Sequence, residues 1–202
     1  MIDSGLLVGV VADTHVPDRV DRLHPHLMEQ LQQARVDLIL HAGDVSVPAV
    51  LDALGQIAPV TAARGNRDFF FKPQLPMAAK LKLGAREVAV LHGHGGWLSY
   101  SLDKFRYLLY GYSFERYVRI ARHAAPDAQV IVFGHTHTPV MRWVDGQLFF
   151  NPGSASFGKH LGENPSYGLL RFSPEGQVSG EIVALTGYQV VGGEWRESLN
   201  NS

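Results

Sequence analysis

Five short apolar runs most strongly constrain how this chain can fold. They are residues 6–12, 36–40, 60–63, 88–91 and 130–133, and they share a high content of β-branched side chains. The first, Leu-Leu-Val-Gly-Val-Val-Ala, is apolar throughout, which fits a strand buried on both faces better than a short helix. We therefore expect these runs to form the central strands of covered sheets.

Helical patterns lie between and after these runs. Within residues 21–34, apolar side chains recur at helical spacing, and residues 47–54 fit a second short helix. Strand and helix therefore alternate in this part of the chain, as in βαβ units. Residues 99–125 are the longest helical candidate, with aromatic and basic side chains interleaved.

Paired strands are predicted after residue 138. Asp145-Gly146 separates two strand-like runs, 140–144 and 147–150, and Pro174-Glu175-Gly176 separates the later runs 167–172 and 178–185. The C-terminal third is therefore typical of antiparallel sheet. Together with the earlier units, it predicts an α/β fold in which two packed β-sheets are flanked by helices.

Length and composition agree with one domain. A chain of 202 residues can bury roughly 70% of the surface that its unfolded form exposes. Its hydrophobic content of 46% and charged content of 18% are globular values. We expect a single domain at residues 1–196, followed by a flexible tail at 197–202, which is polar and aperiodic.

Charge and cysteine content argue against several functions. The net charge of -1 disfavours long nucleic acid or an anionic membrane as a partner. Because the chain has no cysteine, it has no disulfide, thiolate nucleophile or cysteine-ligated metal. No apolar run approaches the ~18 residues of a membrane span. Residues 6–12 lack the basic leader of a signal peptide, so we expect a cytoplasmic protein.

Metal-ligating side chains follow all five apolar runs. They are Asp13 and His15 after the first run, Asp44 after the second, Asn66 after the third, His92 after the fourth, and His135 and His137 after the fifth. Because the carboxyl ends of parallel strands line one crevice, these residues can converge. Their oxygen and imidazole donors suit Mn, Fe, Co, Ni or Zn better than Ca or Mg. Seven donors are too many for one ion and suit two that share a carboxylate.

Each of these residues also has a structural interpretation. A histidine at a strand end is often only hydrogen-bonded, Asp13 and Asp44 could be helix N-caps, and Asn66 could belong to a turn. Coincidence of all five motifs favours a metal site. Glycines at positions 43, 65, 93 and 134 stand beside candidate ligands, where the lack of a Cβ allows close approach of the backbone. His41 either orients a ligand or fills space.

The motifs Asp-x-His, Gly-Asp, Gly-Asn-x-Asp, His-Gly-x-Gly and Gly-His-x-His occur here in that order, from residue 13 to residue 137. This set resembles the calcineurin-like metallophosphoesterases, in particular their small bacterial and archaeal phosphodiesterase branch. The Asn-Pro-Gly-Ser sequence at 151–154 resembles the turn that follows the last metal motif in that branch. The resemblance implies a four-layer α/β/β/α fold, which agrees with the pattern above.

The resemblance also implies roles for individual residues. Asp13, His15 and His137 would hold a first divalent ion, Asn66, His92 and His135 a second, with Asp44 between the two, and His94 would lie near the substrate. The implied ions are two divalent cations, Mn first, with Fe, Ni, Co or Zn as alternatives. They would activate a shared hydroxide for in-line attack on phosphorus in a small phosphate ester or phosphoanhydride.

Arg67 departs from the family pattern. Many members carry histidine at this position, directly after the motif asparagine, where it is taken to protonate the leaving group. A guanidinium stays charged and cannot serve as that acid, but it can bind phosphate oxygens in a bidentate manner. We expect Arg67 to bind phosphate, and the leaving group either departs unaided or takes its proton from His94 or a metal-bound water.

Competing functions remain at this point. Two metal hydrolases of carbon esters or amides fit poorly. A metallo-β-lactamase site needs His-x-His-x-Asp-His, whereas His135-Thr136-His137 continues as Thr138-Pro139, and an amidohydrolase barrel needs ~250 residues and an early His-x-His. A trafficking-complex subunit that serves chiefly as an interaction scaffold shares the implied fold, although its motif positions are partly lost. The aromatics of residues 99–125 fit core packing and a homo-oligomer contact equally well, and their basic neighbours fit a cap near the substrate.

Overall fold

Strands dominate the part of the chain that this computed structural model describes, residues 5–68, 74–95, 113–158 and 163–198. The strands are β1 Leu6–Val11, β2 Leu38–His41, β3 Val60–Ala62, β4 Ala78–Leu83, β5 Arg86–Leu91, β6 Val130–Val132, β7 Val140–Val144, β8 Gln147–Asn151, β9 Ser166–Phe172, β10 Val178–Ala184, β11 Tyr188–Val191 and β12 Glu194–Glu197. The helices are α1 Pro25–Ala34, α2 Pro48–Gly55 and α3 Phe114–Ala124.

Two five-stranded mixed sheets form the centre. The first has the order β10-β9-β1-β2-β3 and the second β4-β5-β6-β8-β7, while β11 and β12 form a separate hairpin. The strands β1, β2 and β3 are parallel, and so are β5, β6 and β8. The five predicted central strands are thus the parallel strands β1 to β3 of one sheet and β5 and β6 of the other.

The two sheets pack face to face through an apolar core. Val8 and Val10 of β1 lie in the same buried cluster as Val90, Val132 and Phe150 of the second sheet, and none of the five has exposed surface. Side chains of a strand alternate between faces, so the other β1 residues face outward. This confirms the prediction of two packed sheets.

Helices cover both outer faces and complete four layers. Leu27 and Leu31 of α1 are fully buried against the first sheet, together with the apolar side of α2. A Cβ on Gly9 would lie 2.7 Å from Cδ2 of Leu31, so the absence of a side chain lets α1 pack closely on β1. On the second sheet, Tyr117 and Val118 of α3 pack onto the face that carries Phe149.

Element boundaries differ from the prediction at several points. α1 begins at Pro25 rather than at residue 21, because proline suits the first helical position and the His24 ring accepts the backbone N–H of His26. The edge strand β4 and the hairpin β11–β12 were not predicted. Of the helical candidate 99–125, residues 113–125 are described and contain α3, whereas residues 99–112 lie outside the described residues.

Both predicted C-terminal hairpins are present and antiparallel, which confirms that prediction, but they belong to different sheets. The hairpin β7–β8 extends the second sheet, where β8 pairs in parallel with β6. The hairpin β9–β10 extends the first, where β9 pairs antiparallel with β1. Each hairpin thereby pairs a sheet edge that would otherwise be open. β12 ends at Glu197, at the start of the proposed tail, and residues 199–202 lie outside the described part.

A search of the helices in the described segments found none with both the length and the apolar character needed to cross a membrane.

Candidate metal centre

Turns at the carboxyl ends of the parallel strands bring all seven predicted ligands into one cluster. Asp13 follows β1, Asp44 follows β2, Asn66 follows β3, His92 follows β5, and His135 and His137 follow β6. The two sheets meet here, because the backbone N–H of His135 donates to Oδ2 of Asp13 at 2.9 Å. One edge of the sandwich therefore collects donors from both sheets.

Asp13, His15 and His137 form the first group of donors. Nε2 of His15 lies 3.3 Å from Nε2 of His137, and Oδ1 of Asp13 lies 3.3 Å from the His137 nitrogen and 3.7 Å from the His15 nitrogen. Oδ1 of Asp13 is buried and accepts no hydrogen bond from the described residues. Three donor atoms facing one another in this way fit a shared cation.

Asn66, His92 and His135 form the second group. Oδ1 of Asn66 lies 3.0 Å from Nε2 of His92 and 3.1 Å from Nδ1 of His135. Nδ1 of His92 lies 2.7 Å from the carbonyl oxygen of Ala42 and is placed to donate to it. That hydrogen bond leaves the lone pair of the neutral ring on Nε2, which points at the other donors.

Asp44 lies between the two groups. Its Oδ1 is 3.4 Å from Nε2 of His92, and its Oδ2 is 3.8 Å from Nε2 of His15. The backbone N–H of Arg67 donates to Oδ1 at 2.8 Å and holds the carboxylate in this orientation. The Asp44 carboxylate thus faces both donor groups, which is the position required of a ligand that two ions share. The complete set of two carboxylates, one amide and four imidazoles fits two borderline divalent cations.

The backbone of the cluster adopts unusual conformations. Among non-glycine residues of the described segments, eight have positive φ, and five of these are candidate ligands: Asp13, His15, Asp44, His135 and His137. Such conformations are uncommon for residues with a Cβ and concentrate at functional sites. Gly65 contributes differently, since a Cβ there would collide with the backbone N and Oδ1 of Asp44. The turns therefore bear strain that aims side chains into the cluster.

Electrostatic coupling sets the protonation of the metal-free cluster. Burial opposes the charge on Asp13 and Asp44, but the His137 and His92 imidazoles outweigh it and lower the pKa of both carboxyls. Burial lowers the pKa of His15 to about 4 and that of His135 to about 3. For His92, burial is outweighed by the charge of Asp44, which raises its pKa to about 10. The ionised carboxylates and the neutral rings of His15 and His135 are in the protonation states that metal binding requires, whereas a metal ion would have to displace the proton of His92.

Asp68 was not assigned a role from the sequence, although it ends the Gly-Asn-x-Asp motif. It is buried, and its Oδ2 accepts the backbone N–H of Asp44 at 3.0 Å and of Gly65 at 2.6 Å, while Oδ1 accepts that of Ser46 at 2.7 Å. Burial raises the pKa of Asp68, and the N–H donors of Ser46 and Gly65 act in the opposite direction. Asp68 thus ties the turn that carries Asn66 to the turn that carries Asp44.

The Asn-Pro-Gly-Ser turn supports the cluster from behind. The hydroxyls of Ser154 and Ser156 donate to the carbonyl oxygen of Asp13 at 2.9 Å and 2.7 Å. Nδ2 of Asn151 donates to the carbonyl oxygen of Gly134 at 3.0 Å. The sequence marked residues 151–154 by resemblance, and the structure shows what they do: they hold two ligand-bearing turns by their backbone.

Three further side chains border the cluster. Phe157, which the sequence did not single out, places its ring centroid 5.6 Å from that of His15 and 4.8 Å from that of His137. His41 is buried, and its Nε2 lies 3.2 Å from Oγ1 of Thr14, the residue between the first two ligands. His94 is buried beside His92, with ring centroids 5.4 Å apart.

Arg67 is engaged at the edge of the cluster. Its guanidinium forms an ion pair of 2.5 Å with Oδ2 of Asp18, and both side chains are about one-third exposed. The same Asp18 oxygen lies 3.7 Å from Nδ1 of His15. Arg67 thus sits near the first donor group, with its charge partly offset by a neighbouring acid.

Comparison with known proteins agrees with this architecture. The model of the calcineurin-like phosphoesterase superfamily domain matches residues 6–174. A probable metallophosphoesterase of Methanothermobacter thermautotrophicus is 30% identical over 178 residues, which cover 88% of this chain and 92% of that protein. Vacuolar protein sorting-associated protein 29 of Schizosaccharomyces pombe is 27% identical over 199 residues, 95% of each chain.

Solved structures share the fold. The structure of wild-type Vps29 from Entamoeba histolytica, complexed with Zn²⁺, aligns with a TM-score of 0.62 at 24% identity and covers 90% of this chain and 100% of that one. At this identity the likeness concerns the fold. The family model, by contrast, spans the whole ligand cluster and most of both sheets. The chain belongs to the calcineurin-like phosphoesterase superfamily.

Proposed function

We propose that this protein is a dinuclear metal-dependent phosphoesterase that cleaves phosphodiesters or phosphoanhydrides. Asp13, His15 and His137 would hold one divalent ion and Asn66, His92 and His135 the other, with Asp44 shared, and Mn is the first candidate for both. The observation that carries the proposal is the cluster itself, in which two donor groups face a common carboxylate. When bound, the two ions supply an activated water and neutralise charge on the phosphoryl oxygens.

The protein's own groups would hold the proposed ligands in position. Asp68 and the Arg67 backbone N–H keep Asp44 directed at both donor groups. Hydrogen bonding to Ala42 keeps Nε2 of His92 directed at Asn66. Because these groups are held before substrate arrives, little reorganisation is needed during the reaction.

Arg67 would bind a phosphoryl oxygen, sharing its guanidinium between the substrate and Asp18. Because this group cannot donate a proton as an acid, good leaving groups such as aryl esters and anhydrides should react best. His94 borders the cluster, but burial lowers its pKa to about 4, so its ring is neutral near pH 7 and does not readily supply a proton to a poorer leaving group. Equal rates for aryl and simple alkyl esters with the wild-type protein would contradict this assignment.

A direct test measures hydrolysis of bis-p-nitrophenyl phosphate and p-nitrophenyl phosphate by metal-stripped protein, reloaded separately with Mn, Ni, Co, Zn or Mg. We expect metal-dependent cleavage of the diester that Asp44→Asn lowers by about 100-fold or more. Asp127→Asn, the same change at an exposed aspartate, is the matched control. Activity in Asp44→Asn that equals the control would contradict a shared metal ligand at this position.

A catalytically weak scaffold is the second candidate. It is favoured by the similarity to vacuolar protein sorting-associated protein 29 over 95% of both chains. The intact set of seven donors favours the enzyme. Binding of two ions per chain without turnover of either ester would favour the scaffold. The protein would then bind a protein partner instead of hydrolysing a small cytoplasmic phosphate ester.

A further inference from the structure

A cleft of about 480 Å³ opens beside the second donor group. Its walls include Met77, Leu91, His92, His94, Arg119 and Ile120. His92 belongs both to this wall and to the ligand cluster, so the cleft adjoins the candidate metal centre. The volume lies within the range of small-molecule sites.

The walls of the cleft are mostly apolar and come from three elements. Leu91 ends β5, Ile120 lies on α3, and Met77 directly precedes β4. Met77 is 41% exposed, which makes it one of the few large apolar side chains open to solvent in the described residues. Its Sδ accepts a hydrogen bond of 2.9 Å from the Arg64 guanidinium. Apolar surface presented beside a polar cluster is typical of a ligand site.

Polar groups are few and lie where the cleft meets the cluster or solvent. His94 is 9% exposed, and its buried Nδ1 has no hydrogen-bond partner within the segments that the structure describes. Arg119 and His123 are exposed on α3, at the outer margin. An apolar wall cannot replace the hydration of a phosphate, so the phosphate belongs at the donor cluster and the cleft suits an uncharged group attached to it.

We propose that this cleft binds the organic group that stays on phosphorus after the leaving group has departed, and that it selects esters in which this retained group is aryl or a similarly sized apolar group. The inference rests on the phosphoesterase function proposed above. It assigns Met77 and Ile120 to substrate selection. A methyl ester leaves these walls in water, whereas a phenyl ester covers them and gains the free energy of burying apolar surface.

The test compares phenyl p-nitrophenyl phosphate with methyl p-nitrophenyl phosphate, which release the same p-nitrophenolate. We expect wild-type protein to show a kcat/KM about tenfold higher for the phenyl ester, within the range for apolar contacts in substrate pockets. Met77→Asn and Ile120→Asn should each lower this ratio several-fold. Met141→Asn is the matched control, because Met141 is similarly exposed, at 38%, but lies on β7 outside the cleft; it should leave the ratio unchanged.

A binding measurement separates failure of this inference from failure of the proposed function. Titration calorimetry of phenylphosphonate and methylphosphonate, neither of which is hydrolysed, should show the same preference and the same sensitivity to the two cleft substitutions. Hydrolysis without any phenyl preference, or equal ratios in all variants, would overturn the cleft assignment and leave the esterase standing. A phenyl preference in binding without hydrolysis of either ester would support the cleft and overturn the proposed function.

Discussion

Buried histidines lie in two parts of the molecule that differ in their surroundings. At the edge where the sheets meet, imidazoles face carboxylates and one another at 3.3 to 3.8 Å. Near the start of α1, His24 is also buried, but its neighbours are the rings of Trp195, at a centroid distance of 4.7 Å, and Tyr188, at 5.8 Å. The polar and helical sequence context of His24 predicts a solvated ring, and this prediction is wrong, because the structure buries it.

The comparison shows that burial of an imidazole does not identify a ligand. Nε2 of His24 is buried and has no hydrogen-bond partner among the described residues. Even so, His24 belongs to none of the clusters of acidic and imidazole side chains in those residues that could hold a metal ion. Its Nδ1 accepts the backbone N–H of His26 at the start of α1. Carboxylate neighbours and left-handed backbone turns distinguish the candidate metal centre from the surroundings of His24.

The largest effect is expected when one imidazole is removed from each of these two regions. His92→Ala should lose at least one of two bound ions and lower phosphodiesterase activity by about 100-fold or more, since it deletes a proposed ligand. His24→Phe keeps an aromatic ring against Trp195 and should retain both ions. Metal analysis after gel filtration, with the diester assay, measures both effects. Loss of metal in His24→Phe would show that His24, like His92, is needed for metal binding.

Added metal should stabilise the protein through the imidazoles of the ligand cluster and not through His24. At 100 times the dissociation constant, a bound ion adds about 2.7 kcal/mol to the free energy of unfolding. For a chain of this size that raises Tm by roughly 5 to 10 °C. We expect this shift on adding Mn to metal-free wild-type protein and to His24→Phe, but a much smaller one in His92→Ala. Equal Tm shifts in His24→Phe and His92→Ala would contradict this prediction.

Asp68 tests whether the metal centre depends on support that touches no ion. Asp68→Asn replaces an acceptor of backbone N–H groups by an amide whose nitrogen cannot accept, so the unfolding free energy should fall by about 1 to 3 kcal/mol. Metal affinity should fall by roughly 10- to 100-fold, because the Asp44 turn is no longer held. Urea unfolding and metal titration measure the two effects. Asp127→Asn is the exposed control, and a stability and affinity equal to it would refute the positioning role.

The smallest expected effect concerns pH and His24. Burial lowers its pKa to about 4, below the unfolded value of about 6.5. The neutral ring therefore contributes stability that is present above pH 6.5 and is lost as the pH falls towards 4, by at most about 1.4 kcal/mol per pH unit. Urea unfolding of metal-free protein at pH 7.5, 6.5 and 5 should show a shallower decline in His24→Phe. Parallel declines would show that His24 titrates normally.

Much of the fold was predictable because its central strands are buried on both faces. Such strands have continuous apolar sequences, as in residues 6–12, and are easily recognised. The edge strand β4 was missed because Lys80 and Lys82 interrupt its apolar residues. The hairpin β11–β12 was missed because most of its residues are exposed. Such elements owe their structure to a neighbour rather than to their own pattern.

The seven candidate ligands were predictable because each one follows a recognisable strand, and the carboxyl ends of parallel strands meet at one edge. Their metal-binding roles stay a prediction. The supporting residues were harder to predict from the sequence. Asp68 and Ser154 bind backbone groups that are far away in sequence, and no local pattern distinguishes them from ordinary turn residues. Phe157 acquires its place only through the packing of its loop against His15.

The sequence by itself determined the order of the central strands along the chain, the donor types and the lack of thiol chemistry, because these depend on residue identity and short-range periodicity. Tertiary structure alone decided which sheet each C-terminal hairpin joins, which histidines are buried among aromatics, and which face carboxylates. It also decided that Arg67 is paired with Asp18 and that an apolar cleft adjoins His92. These outcomes depend on distances between residues remote in sequence, and such distances are fixed only when the two sheets pack together.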